Sequence, residues 1–367
     1  MTQKKLIIFM PSIENGGVEK NLFLIANHLS VNIPNTILIT ASKRSNKKFK
    51  NIRIINPKIN TDKIDGRIIK YILCIYELFK ILISEKNIVL FAFQANLYCA
   101  LLGLFFPKLK IITRSNSSPS GWSNNFFKKF IFSILFKRID KIIVNSLNFK
   151  SELKKKFKVN SVCIYNPLNK KFIQKSSKKK INFDFFKNKD LKIINIGRLV
   201  DQKDQITFLK SLNLIKKKIF FKALIIGNGK KEKDLINYIS RKGLKKNVKI
   251  INFKNNPFTY LKKANIMVHT AKFEGLPNVL LEALSLKKYI ISTNCPTGPS
   301  EILSNGKSGD LVKIGDYKDI AKKITNYSKK KVIKKINYGY KMLKRFDFNK
   351  NQNEYLKLVQ QVLNRSN

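Results

Sequence analysis

The sequence predicts an α/β fold built from two doubly wound domains. Three observations predict it. Short runs of β-branched and aromatic residues alternate with helical patterns from Leu6 to Tyr165. The stretch Asn166 to Asp190 then interrupts the alternation with Pro167, a lysine cluster at Lys178 to Lys180 and little periodicity. A second series of the same kind starts at Lys192.

In the first series, Leu6 to Phe9 reads as a strand and Gly17 to Leu29 as a helix. Further strands are expected at Thr36 to Thr40, Ile88 to Phe91, Lys110 to Thr113, Lys141 to Asn145 and Ser161 to Tyr165. Helices are expected at Ile68 to Ile83, Asn124 to Phe136 and Leu147 to Phe157. The uncharged segment Ile88 to Phe106 is the best candidate for a membrane span. Gln94 and Asn96 near its middle favour a buried strand, a turn and a buried helix from Ala95 to Phe105. In the second series, strands are expected at Lys192 to Ile196, Lys222 to Ile226, Val248 to Ile251, Ile266 to His269 and Tyr289 to Ser292. Amphipathic basic helices close the chain at about Asp316 to Phe346 and Gln352 to Asn364. The expected domains are residues 1–175 and 185–345, joined by a linker. The helix in 346–367 is expected to pack back on the first domain.

Composition narrows the class. At 367 residues and 44% hydrophobic, the chain can bury two cores and is no disordered tail. Cys74, Cys99, Cys163 and Cys295 form no metal-ligand spacing, and a reducing compartment is the simplest reading. With only His28 and His269, a histidine-based zinc site is not expected. The apolar segment Leu6 to Met10 is too short for a signal peptide and runs into Pro11. The formal charge of +52 comes from 74 Lys and Arg against 22 Asp and Glu. A chain crowded with Lys, Asn, Ile and Phe reads first as the product of AT-rich coding. Attraction to anionic lipid and phosphate-bearing substrates is the second reading. Nucleic-acid binding is the third, and no recognition motif accompanies it.

The chemistry-bearing residues sit just after strands, where open α/β sheets bind ligands. Asn15-Gly16-Gly17 follows the first strand and opens a helix, so its backbone N–H groups suit a phosphate or simply a turn. Glu19, one turn on, either lines a site or favours the helix N-terminus. Gly197 to Lys203 follows the first strand of the second series, and its Arg198 and Lys203 suit one diphosphate. Gly227-Asn228-Gly229 is a tight turn, near a nucleotide or not. The richest segment runs from Phe273 to Glu282. Pro277 suits a first helical turn, which leaves Glu274 in the loop and Glu282 on the helix. N–H groups from Gly275, Leu276 and Asn278, flanking Pro277, suit phosphate oxygens, while the carboxylates accept from sugar or ribose hydroxyls. Acids are scarce here, so two at this spacing are marked. Asn294 to Glu301 adds an irregular Pro- and Gly-bearing loop at the same edge.

Taken in order, Gly16-Gly17, Gly197-Arg198 with Lys203, and Glu274-x7-Glu282 with its Gly-Leu-Pro resemble the retaining glycosyltransferases of family 4. The resemblance covers nearly the whole chain. It implies the GT-B fold, two Rossmann-like domains facing each other across a cleft. It implies that Arg198 and Lys203 hold the donor diphosphate, Glu282 the ribose and Glu274 the transferred sugar, with Gly16 and Gly17 closing over the diphosphate. Gly229 is expected near the nucleotide. No Asp-x-Asp occurs in the sequence, so no metal is expected, and the nucleotide sugar is a co-substrate with no further cofactor. Many such proteins carry a histidine loop near the donor sugar; here Arg114 or Asn116 of Thr113-Arg114-Ser115-Asn116 stands at that place. His269 reads as a packed strand residue.

The loop Cys295 to Glu301 looks more like that of members using UDP-N-acetylhexosamines than of those using GDP-mannose or UDP-glucose. The helix Asn124 to Ile139, with Phe126, Phe127 and Phe130 among Lys128, Lys129 and Lys137, suits a membrane interface or a core. The expected acceptor is a saccharide linked to polyprenyl diphosphate, met on the cytoplasmic face of an anionic plasma membrane. No nucleic acid is expected.

Overall fold

The computed structural model describes residues 4–14, 16–61, 64, 66–116, 126–187 and 189–364, with the backbone alone for 126–128. Asn15, the segment 117–125 with Asn124, and the side chains of Phe126, Phe127 and Lys128 therefore lie outside the described residues. The chain divides into two compact units, residues 1–167 with 348–367, and residues 168–347.

The first unit holds strands β1 (Lys5–Phe9), β2 (Ile37–Ile39), β3 (Arg53–Ile55), β4 (Ile88–Ala92), β5 (Lys110–Ser115), β6 (Lys141–Val144) and β7 (Val162–Cys163). They form one parallel sheet in the order β3-β2-β1-β4-β5-β6-β7. Its helices are α1 (Gly17–Asn32), α2 (Arg67–Ser84), α3 (Asn96–Phe105), α4 (Phe126–Lys137), α5 (Leu147–Phe157) and, at the end of the chain, α14 (Phe348–Asn364). Parallel strands need crossovers, and crossovers put helices on both faces. Central strands such as Ile88–Ala92 are accordingly buried throughout and read as continuous apolar runs. One core packs α2, α3, α4 and α5 on the sheet through Leu78, Leu102, Phe136 and Leu153. The other packs α1 and α14 through Leu22, Ile25, Tyr355 and Val359.

The second unit holds β8 (Leu191–Ile196), β9 (Phe221–Ile226), β10 (Val248–Ile251), β11 (Ile266–His269), β12 (Tyr289–Thr293) and β13 (Asp310–Val312). They too are parallel, in the order β10-β9-β8-β11-β12-β13. Its helices are α6 (Lys170–Ser177), α7 (Gln205–Ile215), α8 (Glu232–Arg241), α9 (Phe258–Lys263), α10 (Asn278–Ser285), α11 (Pro299–Ile302), α12 (Tyr317–Thr325) and α13 (Lys329–Met342).

Two doubly wound parallel sheets are thus present, as the alternation predicts. In each, the order reverses direction beside the first strand, between β1 and β4 and between β8 and β11. Ligands bind at such switch points because the loops on either side diverge and leave a crevice.

Several elements differ from the sequence expectation. The linker expected over Asn166 to Asp190 contains α6, which belongs to the second unit. There Gln174 donates to the Ser285 carbonyl at 3.4 Å and to the Tyr340 hydroxyl at 3.2 Å. Asn169 caps this helix by accepting from the Phe172 N–H, a start signal that the lysine run obscures. Chain units divide at Pro167 and Asp347 rather than at residues 175 and 345. β3 and β13 are three-residue strands at sheet edges, too short for a period-two signal. The long closing helix breaks at Asn326 to Ser328, where α12 ends and α13 begins.

Candidate active site

The carboxyl ends of β8 and β11 bring the strongest sequence candidates together. β8 delivers Arg198 and Lys203 on the loop that follows it, and β11 delivers Glu274 five residues past His269. The two loops are stitched side by side. Thr270 Oγ1 donates to the Lys203 carbonyl at 2.9 Å, and Gln202 Nε2 donates to the Phe273 carbonyl at 2.8 Å. The Lys272 N–H donates to the Gln202 carbonyl at 2.8 Å. Gln205 Nε2 donates to the Arg198 carbonyl at 2.9 Å, which fixes the backbone while the Arg198 residue stays exposed.

Glu274 is the electrostatic centre. Its Oε1 receives Lys203 Nζ in a charge-assisted hydrogen bond and faces His269 Nε2 at 3.1 Å. Burial alone would raise its pKa. The Lys203 charge and the hydrogen bond from His269 outweigh burial and bring it down to about 2. The carboxylate is therefore ionised at any physiological pH. Burial holds His269 below its ordinary pKa, although Glu274 opposes the shift. A neutral imidazole facing an ionised carboxylate must carry its proton on Nε2. Nδ1 is then an acceptor facing Ser292 Oγ at 3.0 Å, and the single hydroxyl proton there has a second acceptor in the Thr293 carbonyl, also at 3.0 Å. The result is a chain of partners, Ser292 to His269 to Glu274 to Lys203, with both Glu274 and His269 less than a tenth exposed.

The adjacent loops are shaped around this centre. Thr297 Oγ1 donates to the Glu274 carbonyl at 2.6 Å. Gly298 has φ +86°, and a Cβ there would lie 2.4 Å from the Gly275 carbonyl oxygen, so the 294–301 loop lies directly on Gly275 and Pro277. Pro277 stands just before α10, and Glu282 is buried one turn into that helix. Leu276 is buried and Asn278 is half-buried. Cys295 also lies near Glu274, and burial pushes its thiol up to about 12, so it is no nucleophile at neutral pH. Among the described residues no cluster of three His, Cys, Asp or Glu side chains could hold a metal ion.

Gly227 and Gly229 have a structural reason. A Cβ on Gly227 would meet the Gly197 carbonyl oxygen at 1.9 Å, and one on Gly229, at φ +157°, the Leu199 carbonyl oxygen at 2.3 Å. The turn is thereby held against the Arg198 loop, with the Leu199 N–H donating to the Asn228 carbonyl at 2.8 Å.

In the first unit, Gly16 precedes α1, and a Cβ there would meet Glu19 Oε2 at 2.6 Å. The Glu19 carboxylate thus lies beside Gly16 at the helix start. Gly17 begins the helix, and its carbonyl accepts from Asn21 Nδ2 at 3.0 Å. Arg114 is wholly buried inside the unit. Its Nε donates to the Tyr355 hydroxyl at 2.9 Å and its guanidinium donates to Asn166 Oδ1 at 2.6 Å. Its side chain is engaged in holding α14, so of the two residues offered for a sugar, Asn116 is the one at the strand's end. Asn116 donates to the Phe93 carbonyl at 3.1 Å.

His269, Ser292 and Thr297 are the residues that the sequence reading did not assign. The available signal was position: His269 ends the same strand whose loop carries Glu274. A lone histidine in an apolar strand more often packs than acts, and only the geometry separates the two cases.

Comparison with known proteins agrees with this architecture. Residues 176–342 match the family described as glycosyl transferases group 1. An uncharacterized glycosyltransferase of Methanocaldococcus jannaschii is 42% identical over 111 residues, which cover 30% of this chain and 27% of that protein. The N-acetylgalactosamine-N,N'-diacetylbacillosaminyl-diphospho-undecaprenol 4-alpha-N-acetylgalactosaminyltransferase of Campylobacter jejuni is 25% identical over 336 residues, 85% of this chain and 86% of that one. The crystal structure of Anabaena HepE in complex with UDP-glucose superposes with a TM-score of 0.77 at 15% identity, over 97% of this chain and 99% of that one. The second unit is thus similar to the group 1 glycosyltransferases, and the two Rossmann-like sheets have the GT-B fold of the solved structures.

Proposed function

We propose that this glycosyltransferase moves an N-acetylhexosamine from a UDP-sugar to a lipid-linked saccharide, with retention at the anomeric carbon and without a metal. The observation that carries this reading is the ionised, buried Glu274 held by Lys203 and His269 beside the exposed Arg198, all at the β8/β11 switch point. The Campylobacter relative's undecaprenol-diphosphate acceptor supports the lipid link.

In this reaction the acceptor hydroxyl oxygen bonds to the anomeric carbon on the face that the diphosphate leaves. The carbon–oxygen bond to diphosphate breaks, its electron pair stays on the diphosphate oxygen, and the acceptor's proton passes to the departing diphosphate. Negative charge therefore grows on the diphosphate and positive charge on the sugar. Arg198 and Lys203 supply fixed positive charge to the first, and the N–H groups near Gly275 and Asn278 supply donors. Glu274 accepts from a sugar hydroxyl and places a full negative charge beside the developing cation. Glu282 accepts from the ribose. On the second unit Gly229 leaves backbone close to the donor, and on the first Gly16, Gly17, Glu19 and Asn116 are the candidates for ligand contact. Each ~1.4 kcal/mol of such differential stabilisation is worth about tenfold in rate.

A thermal-shift and calorimetric panel of UDP- and GDP-sugars tests this. UDP-N-acetylhexosamines should stabilise the wild type most, and Arg198→Ala and Glu282→Ala should weaken that binding. If no nucleotide sugar binds, the reading fails; a GDP-sugar or UDP-glucose optimum replaces the donor while keeping the reaction. Transfer persisting in chelator at the metal-supplemented rate is expected, and its loss would overturn metal independence.

A further inference from the structure

The first unit exposes an apolar face that its own fold does not use. Just over half of the exposed large hydrophobic side chains among the described residues lie on α2, α3 and α4. These helices contribute only 18, 10 and 12 of the 367 residues, so the concentration is local. On α2, Ile68, Ile72, Tyr76, Phe79 and Ile83 recur every three or four residues as one outward stripe. The inward stripe of the same helix is separate: Cys74, Leu78 and Leu82 are buried on the sheet. The outward residues are not marginally exposed, since Ile68, Ile72 and Ile83 are 70%, 61% and 67% accessible.

The three helices form one continuous surface. Tyr71 of α2 meets Tyr98 of α3 edge-on at 6.0 Å, and Phe79 meets Phe106 just past α3 at 5.7 Å. Arg138, just past α4, donates to the Gly103 carbonyl of α3 at 2.7 Å. Leu101 and Phe105 on α3 and Phe130 and Ile134 on α4 extend the exposed apolar area. Beside it lies α5, which packs on α4 through Phe157 against Phe132 and Phe136. That helix presents Lys150, Lys154, Lys155 and Lys156, and Lys158 follows it, all exposed, against the single acid Glu152.

A continuous exposed apolar area rimmed by charge marks an interaction surface. The charge selects the occupant. A second copy carries the same +52 and the same lysine rim, so two copies repel at this face. An anionic bilayer offers what both parts of the surface need, acyl chains for the isoleucines and phosphates for the lysines. α2 also carries Arg67, Lys70, Glu77 and Lys80, which suits a helix lying in the interface plane. No helix among the described residues is long and apolar enough to cross a membrane.

We propose that the outward face of α2, α3 and α4, with the lysines of α5, docks this protein on an anionic lipid bilayer. This deepens the proposed function, because it names the surface through which a lipid-linked acceptor is met. It rests on that reading for its purpose and not for its test.

The test is flotation of the full chain with vesicles of phosphatidylcholine, with and without phosphatidylglycerol. Wild type should float with the anionic vesicles. Ile68→Ser/Ile72→Ser/Ile83→Ser should lose binding on the order of a hundredfold, since each removes apolar surface destined for the acyl region. Lys150→Gln/Lys154→Gln/Lys155→Gln should bind anionic vesicles less and lose most of the salt sensitivity. Both variants should keep the wild-type melting temperature and UDP-sugar affinity, which separates this proposal from failure of the donor reading. Wild type remaining with the unbound fraction overturns the proposal. So does a serine variant that floats like wild type, or one whose only change is from oligomer to monomer in light scattering.

Discussion

The two units wind the same strand order and use its carboxyl edge differently. In the second, charged side chains past β8 and β11 turn toward each other, and Lys203 and Glu274 form an ion pair beside the neutral His269. In the first, the charged residue near the end of β5, Arg114, turns into the protein and holds Tyr355 of the last helix. A place at a strand's end therefore does not make a site residue. What distinguishes the pair is the source of partners. Glu274 sits in a loop five residues past its strand and meets loops. Arg114 sits within its strand, where a side chain must point into one core or the other.

The sharpest test of that contrast is Glu274→Gln, which keeps shape and removes charge. Turnover should fall by about 10²- to 10³-fold while the UDP-sugar thermal shift persists. Normal turnover would move the chemistry elsewhere. Arg114→Met tests the other side of the comparison. It leaves the Tyr355 hydroxyl and the Asn166 amide without their buried donor, at a cost of about 2–4 kcal/mol in urea unfolding. Donor affinity should stay at the wild-type value. A stable Arg114→Met protein without transfer would place Arg114 in the chemistry and break the comparison. Gly229→Ala should cost about 1–3 kcal/mol, because its φ of +157° and its approach to the Leu199 carbonyl both exclude a side chain.

His269 gives the smallest and most specific effects. His269→Leu should lower kcat about tenfold with little change in KM, and His269→Gln, which keeps a donor near Nε2, should recover most of it. A pH series adds a second readout. The buried imidazole stays neutral, whereas the unfolded chain takes up a proton below the ordinary value of 6.5, so stability falls as pH drops through that range. The Glu274 contribution is present above the ordinary 4.5 and is lost as pH falls toward about 2. His269→Gln should flatten the decline in melting temperature between about pH 7 and pH 5 and leave the more acidic loss in place. An unchanged slope would mean that the folded imidazole takes up its proton as it does in the unfolded chain. With two histidines in the chain, nitrogen-15 spectra can also report directly whether Nε2 carries the proton.

Much of the architecture was legible because it depends on local pattern. Leu147–Phe157 and Val248–Ile251 stand where periodicity put them, since an amphipathic helix and a buried parallel strand each announce themselves in a short window. The three-residue edge strands Arg53–Ile55 and Asp310–Val312 did not, because so few residues carry no period. Helix α6 was hidden for a different reason. Its lysines suggest a solvated linker, while Ile173 and Ser177 are buried against the second unit's own helices.

The sequence by itself determined two Rossmann-like windings, the strand-end positions of Arg198, Lys203, Glu274 and Glu282, and a strong positive charge. Each of these follows from neighbours along the chain. Only the tertiary structure decided which strand-end residues meet. It paired Lys203 with Glu274 across 71 positions, recruited His269 and Ser292 to the same carboxylate, and enclosed Arg114. It also decided that α2 is apolar on a second, outward stripe. A sequence window records that a residue is hydrophobic, but the sheet fixes which of a helix's faces is already covered.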